Sequence, residues 1–132
     1  MQGAMTQRVN GARSLPHRSR NAHTKFPPGL ASQIIGQAVS TVFQVPLSEL
    51  QARTRRRARI AFARQVAMYL AHVACGLTLT QVGALFGRDR TTVAYACGIV
   101  EDRRDDPIFD VFLDHLEMSI VRLASARESL RA

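Results

Sequence analysis

The side chains in this sequence best suited to recognition chemistry lie between residues 88 and 95. Arg88, Asp89, Arg90, Thr91, Thr92 and Tyr95 are spaced so that one short helix would carry them on its outer side, while Val93, Ala96 and Cys97 pack inward. Arginine donates to paired acceptors, a carboxylate accepts from amines, and threonine offers a methyl and a hydroxyl. Such a set fits base edges in the major groove of a duplex. Asp89 has a second role open to it, because aspartate is also a favoured helix N-cap. A different group stands upstream: Arg53, Arg55, Arg56, Arg57 and Arg59 place five arginines in seven residues with no acid among them. They repel one another unless an anion is near. The run reads either as a solvated turn or as a loop whose guanidiniums clasp phosphates or enter a minor groove.

The elements that would position these groups are helical throughout. Thr78 and Gln81 have the spacing of a capping box, so a helix can begin at Leu79. Leu79, Val82, Leu85 and Phe86 then fall on one face. Gly87 can end that helix in the left-handed conformation, and Asp89 can open the next. Two short helices joined by a tight turn, the second rich in donors, form a helix-turn-helix. The backbone amides of Leu79 and Thr80, at the start of the first of them, are available to a phosphate. Upstream, the pattern predicts a helix from about Leu30 to Phe43, a short turn or helix over Pro46–Leu50, and a helix from about Ile60 to Cys75. Downstream, Asp106 and Pro107 suit the start of a last helix, whose Ile108, Phe112, Leu116 and Ile120 row, flanked by Phe109 and Leu113, reads as core or as a packing lid. No alternation suggests a strand. The fold expected is all-α, a compact helical bundle containing a helix-turn-helix over residues 30–132. Residues 1–29, with Arg8, Arg13, Arg18, Arg20 and Lys25 and no acid, are expected to form a disordered basic arm.

Composition points to the same partner. The chain has 132 residues, 18 Lys+Arg against 10 Asp+Glu, and a net charge of +8. Residues 1–100 hold 13 basic and 2 acidic side chains, whereas residues 101–132 hold 5 and 8, so the positive field sits with the helix-turn-helix. Neither a Gly-x-x-x-x-Gly-Lys-Ser/Thr loop nor a signal core occurs, and ATP hydrolysis and ATP binding are not expected. Cys75 and Cys97 read as reduced core thiols, and His17, His23, His72 and His115 lack ligand spacing, so neither metal nor cofactor is expected. With no nucleophile–base or paired-carboxylate set to assemble, an enzyme is disfavoured.

Arg88-Asp89-Arg90-Thr91-Thr92-Val93, the trailing Ala96-Cys97 and the upstream Ala63-Arg64-Gln65-Val66-Ala67-Met68 together resemble the signature of the C-terminal DNA-binding domain of the bacterial replication initiator DnaA. The likeness runs from about Gly29 to Ile120 and implies double-stranded DNA as partner, at A·T-rich sites similar to the family's box, in a bacterial cytoplasm. It implies that Arg56 enters the minor groove, that Asp89 accepts from a base amine, and that Arg64, Leu79 and Thr80 meet phosphates. The nucleotide-binding motor of the full initiator has no counterpart here, which suggests a stand-alone DNA-binding module. Three departures bear on specificity: Arg90 stands where the family usually has histidine, Tyr95 replaces a second histidine, and one glycine is missing before Arg88. Arginine pairs best with guanine acceptors, so the preferred base is expected to change. Transcription control, replication control as an accessory or competitor of the initiator, and a protein-interaction module built on the acidic last helix all remain open.

Overall fold

The computed structural model describes residues 26–52 and 58–131. Within them six helices follow one another: α1 (Pro28–Phe43), α2 (Leu47–Gln51), α3 (Ala58–Val73), α4 (Leu79–Phe86), α5 (Arg90–Arg103) and α6 (Pro107–Arg131). No strand occurs among the described residues.

α3 is the axis of the bundle. Ile60, Ala63, Val66, Ala67, Tyr69, Leu70, Ala71 and Val73 are all buried, so this helix is covered on nearly every side, as a central helix must be. α1 packs against it through Ala31, Ile35 and Val39, a four-residue repeat on one face. Pro28 occupies the first turn of α1, where its missing N–H costs nothing, and Gln44 ends the helix in the left-handed region at φ 55°, ψ 50°. The fold therefore starts earlier than the predicted boundary at residue 30. Phe26 is buried and its N–H bonds the Cys75 carbonyl at 3.2 Å, which ties the entry of α1 to the end of α3. The rest of the expected basic arm, residues 1–25, lies outside the described residues.

α6 closes the bundle and departs from the sequence reading at the first residue of its row. Leu113, Leu116, Ile120 and Ala124 face the core, whereas Ile108 is 82 % exposed. In place of Ile108, Phe109 joins Phe43, Phe62 and the predicted Phe112 in a ring of tilted and edge-on aromatics 5.7–6.3 Å apart. Arg103 lies over Phe62 at 4.3 Å. Asp106 opens the helix as expected, its Oδ1 accepting from the Ile108 N–H at 3.0 Å. No helix among the described residues is long and apolar enough to cross a membrane.

Candidate nucleic-acid interface

The helix-turn-helix forms from short-range interactions alone. Gln81 N–H donates to Thr78 Oγ1 at 3.1 Å while Thr78 N–H donates to Gln81 Oε1 at 2.9 Å, a complete capping box at the start of α4. Val82 seats the helix in the core. Gly87 then takes φ 67°, the left-handed conformation that glycine adopts without strain. Asp89 Oδ1 accepts from Thr92 N–H at 2.9 Å and starts α5, and Val93, Ala96 and Val100 anchor its inner face. The bond from Thr92 holds the Asp89 carboxyl below the usual carboxylate range, so it presents a charged, acceptor-only group at neutral pH.

This construction leaves polar side chains of both helix starts outside. Asp89, Arg90, Thr91 and Thr92 are exposed on the first turn of α5, and Tyr95, one turn further, is 67 % exposed. Thr80, on the first turn of α4, is exposed, and Leu79 beside it is half-buried against the core. The amides of that turn belong to the group a helix leaves without intrahelical acceptors. Both helices of the motif therefore begin on exposed, polar first turns.

Three arginines from the sequence reading take different positions. Arg64 was assigned to phosphate, yet it is only 7 % exposed, and its Nη2 and Nε donate to the Glu49 and Leu50 carbonyls at 2.9 and 3.2 Å. It holds the last turn of α2 on α3, and burial removes it from the surface a phosphate would approach. Arg88, placed with the major-groove set as a contact to the DNA backbone, is half-buried and donates to the Phe86 and Ala52 carbonyls at 3.0 and 3.2 Å. Arg59, from the basic run, is exposed and bonds the Phe43 and Gln44 carbonyls at 3.1 and 3.3 Å, capping α1. Arg53, Arg55, Arg56 and Arg57 lie outside the described residues.

The sequence contained one signal for Arg64. A helix with apolar residues on all sides has no solvent face to offer a cation, and Arg64 sits between Ala63 and Val66 of such a helix. Nothing local distinguished Arg88 from Arg90. The two cysteines are outside disulfides; Cys75 is buried, which pushes its thiol up to about 12, and Cys97 is half-buried on α5. Among the described residues no group of three or more potential ligands could hold a metal ion.

An all-α bundle presenting a capped helix, a one-glycine turn and a second helix with a polar exposed first turn is a DNA-binding domain of the helix-turn-helix class. The family described as the bacterial DnaA protein helix-turn-helix matches residues 32–100, just over half of the chain, and the chain belongs to that family. It is similar to the chromosomal replication initiator protein DnaA 2 of Chlamydia pneumoniae, 39 % identical over 74 residues, covering 56 % of this chain and 16 % of that protein. It is also similar to the chromosomal replication initiator protein DnaA of Symbiobacterium thermophilum, 38 % identical over 97 residues, covering 69 % of this chain and 21 % of the relative. The chain thus spans about a sixth to a fifth of the length of these relatives. A crystal structure of a DNA replication initiation factor shares the fold at a TM-score of 0.66 and 24 % identity, over 93 % of this chain and 36 % of the other.

Proposed function

We propose that the chain reads double-stranded DNA in a sequence-specific way, with the first turn of α5 in the major groove. The observation that carries this reading is the exposed set Asp89, Arg90, Thr91, Thr92 and Tyr95, together with the capped start of α4. Asp89 has one carboxylate oxygen bonded to Thr92 N–H and a second that can accept from a base amine. Arg90 offers a fork to the two acceptors of guanine, and Thr91 and Thr92 offer methyls to thymine or hydroxyls to phosphate. The amides of Leu79 and Thr80 hold the adjoining phosphate and fix the register. Arg53, Arg55, Arg56, Arg57 and Arg59 supply the flank, with Arg56 entering a narrow A·T-rich minor groove. This last part rests on the sequence resemblance, and Arg59 can serve it only by releasing or sharing the carbonyls it now caps.

The similarity of the chain to replication initiators supports a role at initiator-type sites, in replication or transcription control. Selection of bound duplexes from a random pool tests the reading. The expected motif is related to the initiator box but carries guanine at the position facing Arg90. Asp89→Ala should lose roughly ten- to hundredfold on that motif and little on scrambled duplex. Pools that yield no motif, or an Asp89→Ala variant that stays folded with its discrimination intact, would overturn it. Chromosomal occupancy then separates the two roles: peaks confined to the origin mark replication, and peaks spread over promoters mark transcription.

A further inference from the structure

We infer that Arg88 is a positioning residue, not a phosphate ligand: it locks the turn ahead of α5 onto the cap of α2 and so sets the angle at which Asp89 and Arg90 meet base edges. The inference rests on the major-groove reading above and names what aims that site.

The turn between α4 and α5 contains a single glycine, and its backbone is fixed before any side chain acts. Arg88 N–H bonds the Gly83 carbonyl at 2.9 Å, and the Arg88 carbonyl lies so close to Gly83 that a Cβ there would fall on its oxygen. From that fixed point the Arg88 side chain folds back. Its Nη1 donates to Phe86 O at 3.0 Å and its Nη2 to Ala52 O at 3.2 Å. Both acceptors are carbonyls at helix ends, one on the last residue of α4 and the other on the cap residue of α2, the kind of group that an ended helix leaves without an intrahelical donor. One planar guanidinium satisfies both.

α2 can act as a bracket because it is itself held. Arg64, buried in α3, grips the Glu49 and Leu50 carbonyls three and two residues before Ala52. A continuous path therefore runs from the core helix α3 through Arg64, the end of α2 and Arg88 to Asp89, the residue that caps α5. The two nitrogens with which an arginine would face a phosphate end-on, Nη1 and Nη2, each commit an N–H to this path. Charge alone cannot replace it, since an ammonium is a point donor and does not present two N–H groups in one plane at arginine's spacing.

The test compares the full chain with Arg88→Lys, which keeps the charge and loses the fork, on the selected motif and on a scrambled duplex of equal length. Arg88→Lys should hold its affinity for scrambled duplex within about twofold while losing about tenfold on the motif, with the melting transition still cooperative. A lysine variant that matches the parent on both duplexes, or weakens equally on both, would overturn the positioning role in favour of a phosphate contact. Should the lysine variant fail to fold, the parent chain still decides the matter through the side-chain nitrogen resonances of Arg88. Those signals should stay unshifted when scrambled duplex is added, and a shift would place the guanidinium on DNA and overturn the inference. A parent chain that does not discriminate the two duplexes removes the base-reading proposal and this inference with it, an outcome distinct from discrimination that survives Arg88→Lys.

Discussion

Replacing Arg104 by methionine should destabilise the fold more than any other change of a charged residue described above. Arg104 is only 1 % exposed and sits where the end of α5 meets α6. Its Nε donates to Asp110 Oδ1 at 2.6 Å, its Nη1 to Tyr69 Oη at 3.0 Å and Glu117 Oε2 at 3.1 Å, and its Nη2 to the Asp114 carboxylate. Tyr69 Oη in turn donates to Glu101 Oε2 at 2.8 Å, so α3, α5 and α6 are joined through one guanidinium. Burial disfavours the charged guanidinium, but the carboxylates and Tyr69 around it outweigh that, and Arg104 stays protonated. Burial likewise holds the Tyr69 phenol in its neutral form, above its ordinary range. Methionine retains the apolar stem and removes the cation from Glu117, which is 3 % exposed. Removing one member of a buried pair costs about 3–5 kcal/mol. The contribution of Asp114, with 44 % of its side chain exposed, belongs with surface pairs at about 1 kcal/mol or less. Glu117, Tyr69 and Asp110, whose side chain is 19 % exposed, therefore account for most of the loss. Because a small domain has roughly 5–15 kcal/mol in total, urea unfolding followed by far-ultraviolet circular dichroism should show a midpoint shift too large to miss. Adding Glu117→Met should restore at least half of the loss, since two matched apolar side chains replace two charges. A single variant within about 1 kcal/mol of the parent would refute the reasoning, as would a double variant no better than the single.

Other expectations follow from the same geometry. Asp89 has its folded pKa lowered by the Thr92 N–H, so its capping contribution is complete above the ordinary carboxylate value of 3.8 and is lost as pH falls through the folded value. Asp89→Ala should thus be less stable than the parent at neutral pH and converge with it in strong acid, whereas Asp89→Asn should keep the cap at all pH values; parallel acid melts check both. Duplex affinity should fall with salt at a log–log slope of roughly −4 to −7, and a slope near zero would remove the electrostatic account. Thiol labelling of the native chain should mark Cys97 well before Cys75, because burial leaves Cys75 essentially without thiolate below about pH 12. Equal labelling rates would show that the core opens as a whole.

The helix-turn-helix was legible in the sequence because its signals are local. Thr78 with Gln81, Gly87, and Asp89 with Thr92 each act within three residues, and a chain that satisfies its own helix ends this way needs little from the rest of the fold. The outer face of α5 was legible for the same reason, since an N-cap and three inward apolar residues decide which side of the helix faces out. The arginines were not legible. Arg59, Arg64, Arg88 and Arg104 are the same side chain in similar polar or helical surroundings, and each is assigned by a partner 13 to 36 residues away. A guanidinium has five donors and a long stem, so its role depends on which carbonyls or carboxylates the assembled bundle brings within reach. The first inward residue of α6 was decided in the same way. Ile108 and Phe109 are equally apolar at the start of an isolated helix, and the phenyl ring of Phe62 selects the second, while Phe112, Leu116 and Ile120 pack inward as the pattern implies. Secondary structure and the outer face of α5 were thus set by neighbours in sequence, while the division of the basic residues between internal carbonyls and carboxylates and the open surface was left to tertiary contacts, because long flexible cations take whichever acceptors burial leaves without a donor.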